Sequence, residues 1–95
     1  MPARTKERTL HIYISNEGLA LLRRRDYPCS EEVLASAKRI KGLEDEGIDF
    51  ELRGSYSDLE MLAGFVASDA NHAEPGEERD AALLYAISEA LESVL

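Results

Sequence analysis

The chain has no tryptophan, one cysteine and two histidines among 95 residues, and aromatic side chains make up only 6% of it. A core drawn from this composition rests on Leu, Ile, Val and Ala. The single cysteine, Cys29, cannot close an intramolecular disulfide, and with two histidines it provides no Cys-rich or His-rich metal framework. No apolar run approaches the roughly 20 residues that cross a bilayer as a helix. The first eight residues, Met1 to Arg8, are charged, and no apolar signal-peptide stretch follows them. Neither Gly-x-Gly-x-x-Gly nor Gly-Lys-Ser/Thr occurs, and Gly42 and Gly47 flank acids that repel phosphate. These absences lead to the expectation of a cytoplasmic protein with no membrane partner, no metal and no cofactor.

Basic residues are also scarce, but only in one half. Residues 1–41 carry nine Lys or Arg against five Asp or Glu, a balance of +4. Residues 42–95 carry two Arg against fourteen Asp or Glu, a balance of −12, giving the net −8. An asymmetry of this kind bears on partners and association rather than on fold. The apolar fraction of 44% is spread over several short segments, which is globular rather than disordered composition.

The first apolar segment, Thr9 to Ser15, alternates. Leu10, Ile12 and Ile14 fall on one face and Thr9, His11, Tyr13 and Ser15 on the other, the pattern of a half-buried strand. Ser15 or Asn16 is positioned to cap a short helix reaching about Arg25, with Leu19 and Leu22 on its apolar side. Pro28 interrupts it. Ser30 is a candidate cap for a second helix whose stripe is Val33, Ala37 and Ile40, ended by Gly42 or Gly47. A second alternating segment sets Ile48, Phe50 and Leu52 against Asp49, Glu51 and Arg53. Ser57 and Glu60 have capping-box spacing before a stripe of Leu59, Leu62, Phe65 and Val66. Asn71 to Gly76 reads as a loop, and Leu83, Leu84, Ile87, Leu91 and Val94 mark a final helix from about Glu77.

The expected fold is therefore α+β in the order β-α-α-β-α-α: a basic arm over 1–8, then one domain over 9–95 with two short strands packed against about four helices. The repeated order is what a degenerate duplication would leave, although little residue identity joins the halves beyond Leu19 and Leu22 matching Leu59 and Leu62. Two short strands are marginal alone, so homodimerisation through an extended sheet is a natural expectation.

Catalysis finds little support. Cys29 precedes a helix start and follows three arginines, which favours thiolate, but a lone cysteine is more often a small apolar packing residue. Asp69 and His72 share a helix face without further ligands, so the expectation is no metal site and no enzyme. The reading favoured by charge is a non-catalytic protein-binding domain, accessory, regulatory or inhibitory. Its acidic surface of Glu44, Asp45, Glu46, Asp49, Glu51, Asp58 and Glu60 would steer a basic or nucleic-acid-binding protein partner. In size and acidity the chain is similar to small phage and mobile-element inhibitors, anti-CRISPR proteins among them.

A basic arm, an alternating strand and two helices over residues 8–41 also resemble a ribbon-helix-helix DNA-binding module. That resemblance implies a strand pair in the major groove, with His11 and Tyr13 reading base edges. Arg4, Lys6 and Arg8 would serve phosphates, with Arg23, Arg24 and Arg25 as a further basic cluster. Against it stand the net charge and the outward carboxylates expected at Asp49 and Glu51, both repelled by DNA.

Overall fold

A computed structural model describes residues 8–28 and 30–95 of the chain. Strand β1 (Thr9–Ile14) leads directly into helix α1 (Asn16–Arg25). Helix α2 (Glu31–Ala35) and strand β2 (Lys38–Arg39) follow, then a 3-10 turn (Glu44–Glu46) and strand β3 (Phe50–Ser55). Helices α3 (Tyr56–Asn71) and α4 (Glu78–Glu92) complete the chain. The mixed α+β class is as expected: one three-stranded antiparallel sheet in the order β1-β3-β2, with four helices.

The alternation in β1 and β3 sets the register. Ile12 pairs with Leu52, Leu10 with Gly54 and Ile14 with Phe50, so the apolar positions of both strands share one face. Ile12 and Leu52 are buried there beneath the helices, with Leu19 and Leu22 of α1, Leu59, Leu62 and Val66 of α3, and Leu84, Ile87 and Leu91 of α4. The other face carries His11 opposite Arg53 and Tyr13 opposite Glu51. Gly54 lies where α2 and α3 press on the sheet: a Cβ there would sit 2.9 Å from Val33 Cγ2 and 3.0 Å from Leu59 Cδ2.

Two serines act as true caps. Ser15 Oγ accepts the Gly18 N–H at 3.0 Å, and Ser55 Oγ accepts the Asp58 N–H at 3.1 Å. The second corrects the expected start of α3: the cap is Ser55, two residues before Ser57. β3 therefore passes into α3 with no intervening loop, as β1 passes into α1 through Ser15 alone.

The second helix is shorter than its stripe predicts. It stops at Ala35, and Ala37 and Ile40 flank a different element, β2. The reason is a hydrogen-bond competition. Ser36 Oγ accepts the Arg53 N–H at 2.8 Å, and Lys38 and Arg39 then pair with Glu51 and Phe50. Ile40 N–H continues the ladder to Asp49 O at 3.0 Å. The open edge of β3 takes these groups, and a third short strand forms where a helix end was expected.

Candidate interaction surface

Among the described residues, the sheet is covered on one face only. On the open face, exposed His11 and Tyr13 stand beside Arg53 and Lys38, with half-buried Glu51 among them. Glu51 is engaged: its Oε2 lies 3.1 Å from His11 Nδ1 and accepts the Tyr13 hydroxyl at 3.4 Å. Asp49, expected to project outward with it, instead accepts the Asn16 N–H at 2.8 Å. A carboxylate on unpaired N–H groups at the start of α1 is favoured by the helix dipole. The strands thus carry Lys38, Arg39 and Arg53 against the single acid Glu51. Arg39 is set over the Phe50 ring at 4.7 Å from its centroid, a cation–π contact at the sheet margin.

The helix layer has the opposite charge. α3 and α4 together carry seven Asp or Glu against one base, Arg79. The charge asymmetry seen along the sequence is therefore partly one between layers, with a basic sheet and acidic α3 and α4.

The seven acidic residues proposed as a contact surface do not form one patch. Glu44, Asp45 and Glu46 are all exposed on the 3-10 turn before β3. Asp58 and Glu60 lie on α3, beyond the other end of that strand. Six strand residues at about 3.3 Å each put roughly 17–20 Å between those ends. Asp49 and Glu51 lie between them and are held as described. The exposed acidic cluster is thus the single turn Glu44–Glu46, where Glu44 Oε1 also accepts the Gly42 N–H at 2.9 Å.

The arginine run is divided as well. Arg25 reaches both Asp69 of α3 (3.2 Å) and Asp80 of α4 (3.6 Å), and Arg24 contacts Asp80 at 3.3 Å. Arg79 of α4 returns the link by pairing with Glu17 of α1. Arg24 and Arg25 thus join α1 to the helix layer, whereas Arg23 is exposed and, among the described residues, makes no ion pair. Asp69 also accepts the Tyr27 hydroxyl at 2.7 Å, and His72 Nδ1 lies 2.8 Å from Ser68 O. Burial first, and then the Asp69 carboxylate, push the Tyr27 phenol well above the usual tyrosine range. The backbone N–H groups of Gly76 and Glu78 hold the exposed Glu78 carboxyl below its usual range.

Sequence reasoning missed Tyr27 altogether. The only hint was an aromatic residue just before Pro28, at the end of an amphipathic helix. Of the expected nucleic-acid contacts, His11 and Tyr13 lie on β1 and Arg8 just before it, while Arg4 and Lys6, like Cys29, lie outside the described residues. Among the described residues no cluster of three or more His, Cys, Asp or Glu is arranged to hold a metal ion, and no helix is long and apolar enough to cross a membrane. No family model, curated protein or solved structure matches the chain.

Proposed function

We propose that this chain is a non-catalytic protein-binding domain, accessory, regulatory or inhibitory in role, that binds through its sheet. The observation that carries the reading is the one-sided sheet. Its open face offers His11, Tyr13, Lys38 and Arg53, and among the described residues its β1 edge is free of a neighbouring strand. Exposed tyrosine and arginine are common anchors of protein interfaces, and a free edge adds backbone hydrogen bonding to a partner strand. The acidic turn Glu44–Glu46 beside this surface sets the sign of approach, which gives association a salt dependence. The test is capture of partners from host lysate with nuclease present, by wild type and by K38E/R53E. A partner held by wild type and lost from K38E/R53E supports the reading. Equal capture by both moves the contact off the open face.

A second reading is favoured by one specific observation, the engagement of Asp49 by α1. It removes one of the two carboxylates expected to oppose DNA. β1 and β3 then make an antiparallel ribbon in cis with His11, Tyr13 and Arg53 outward, as the ribbon-helix-helix resemblance implies. On this reading Arg8→Ala weakens duplex binding uniformly across sequences, while Tyr13→Ala relaxes sequence preference. Absence of duplex binding at low salt rejects it. The net charge, the acidic helix layer and Glu51 on the ribbon itself favour the protein-binding reading.

A further inference from the structure

β1 lies at the edge of the sheet, so among the described residues only one of its sides is paired. Alternate N–H and C=O groups along the other side point away from β3. Among the described residues, no hydrogen bond from outside the sheet reaches the backbone of residues 9–13. Edge strands are ordinarily blunted by proline, by inward charge or by being very short. β1 has six residues, no proline, and no charged side chain other than His11 when protonated.

The element alongside this edge is unfinished too. α4 packs against β1, and one flank of the helix carries Leu83, Ala86, Ala90 and Val94 at helical spacing. Leu83, Ala90 and Val94 are only half-buried and Ala86 is exposed. Two grooves open where this flank meets the strand. One, of about 210 Å³, sets Tyr13 and Ile14 against Leu83 and Ala86. The other, of about 410 Å³, sets Leu10 against Val94 at the opposite end. A bare strand edge and a half-covered apolar stripe thus run side by side.

We propose that a second copy of this chain covers both, with β1 pairing antiparallel to its counterpart about a two-fold axis at Ile12 and α4 packing on α4 beneath the joined sheet. The proposal deepens the protein-binding reading and rests on it, naming the partner of the edge. The strand is self-complementary in this register. On the inner face Ile12 meets Ile12 of the second copy, and Leu10 meets Ile14. On the outer face His11 meets Tyr13, and Thr9 meets Ser15. A register centred on His11 would instead bring Arg8 over Ile14. With the axis at Ile12, exposed Arg8, just before the strand, comes to the start of α1 in the second copy, where the Asn16 backbone N–H holds the Asp49 carboxylate. Opposite charges therefore meet, twice, across the axis. The same axis runs the two α4 stripes antiparallel, Leu83 toward Val94, with the small side chains of Ala86 and Ala90 at the crossing. An isologous contact of this kind closes on itself as a dimer rather than growing into a filament.

The test is the oligomeric state, read by sedimentation equilibrium from dilute to concentrated protein. Wild type is expected to be a concentration-dependent dimer. H11K/Y13K, altering two exposed side chains, sets ammonium groups opposite one another at two places and should weaken the dimer about tenfold or more. H11E/Y13K sets opposite charges there and should remain dimeric, with an affinity that falls as salt is added. Ala86→Arg, exposed on α4, should dissociate the dimer independently of the strand. Far-UV circular dichroism checks that each variant is folded. A monomeric wild type overturns the proposal, as does a dimer unchanged by both H11K/Y13K and Ala86→Arg. If wild type is monomeric yet still captures another protein through Lys38 and Arg53, self-pairing fails alone and the protein-binding reading stands. If it is monomeric and captures none, both fail.

Discussion

The Tyr27 hydroxyl donates to Asp69 at 2.7 Å while its ring stacks on Phe65, with centroids 6.0 Å apart and planes within 9°. One side chain thereby ties the end of α1 to α3 by both an apolar and a polar contact. Burial and the neighbouring carboxylate raise the phenol pKa in the folded protein. A group raised in this way contributes its full stability below its unfolded pKa of about 10. Above that pH the unfolded chain ionises first, and the contribution is lost as the pH climbs toward the folded-state value. Tyr27→Phe should cost about 1 kcal/mol at neutral pH through the lost hydrogen bond. It should also flatten the loss of stability above about pH 10. Urea midpoints from neutral to alkaline pH check both expectations.

Gly54 gives a steric prediction. Its missing Cβ leaves room for Val33 and Leu59, which approach the position from α2 and α3. Gly54→Ala should destabilise by about 1–3 kcal/mol, since both neighbours are fully buried and have little space to retreat. Val33→Ala removes the nearer atom. The pair should therefore be non-additive in urea unfolding, with the double variant more stable than the sum of the single losses predicts.

The three arginines should behave differently although they are consecutive. Arg25 is half-buried and reaches two carboxylates on two helices, whereas Arg23 is exposed and, among the described residues, reaches none. Arg25→Ala should cost about 1–2 kcal/mol through its charge-assisted bonds and packed stem. Arg23→Ala should stay within about 0.5 kcal/mol of wild type. Equal losses in thermal unfolding would remove the distinction.

Ser55 tests where α3 starts. It accepts the Asp58 N–H, one of the orphan donors of the first turn. Ser55→Ala should cost about 1 kcal/mol, while Ser55→Asp should retain most of the stability because aspartate caps as well as serine does. A denaturant midpoint unmoved by Ser55→Ala would return the cap to a later residue.

What the sequence made legible follows from how local the signals are. Alternation in Thr9–Ile14 and the period of Leu83 to Leu91 are set by each segment's own burial, and both elements lie where they were expected. The α2–β2 region was not legible, because the Ser36 hydroxyl that closes α2 on Val33 O also accepts the Arg53 N–H, a partner seventeen residues away. The same holds for the charges. Asp49 reads as outward by alternation but is drawn to the start of α1, and Arg25 reads as a solvated helix end but lies between Asp69 and Asp80. Acidic residues close in sequence around β3 are separated by the length of the strand itself. Contacts between elements decided these features, and no local pattern encodes them.

Asp26 combines two local costs at one exposed position. It ends α1 in the left-handed region, with φ of 53°, its N–H bonded to Leu22 O at 3.1 Å. A side chain in this conformation is disfavoured, although Asp tolerates it better than most residues. Its carboxylate also sits at the negative end of the helix dipole, where the preceding arginines suit the field and an acid does not. Asp26→Gly should relieve both effects and stabilise by about 0.5–1 kcal/mol, after allowing for the extra freedom of glycine in the unfolded chain. Asp26→Asn keeps a side chain that tolerates positive φ and removes only the charge. It should give a smaller gain, one that shrinks as salt is added. Thermal unfolding of the two variants at low and high salt separates the backbone contribution from the electrostatic one. If Asp26→Gly were less stable than wild type, neither cost would be operating at this helix end.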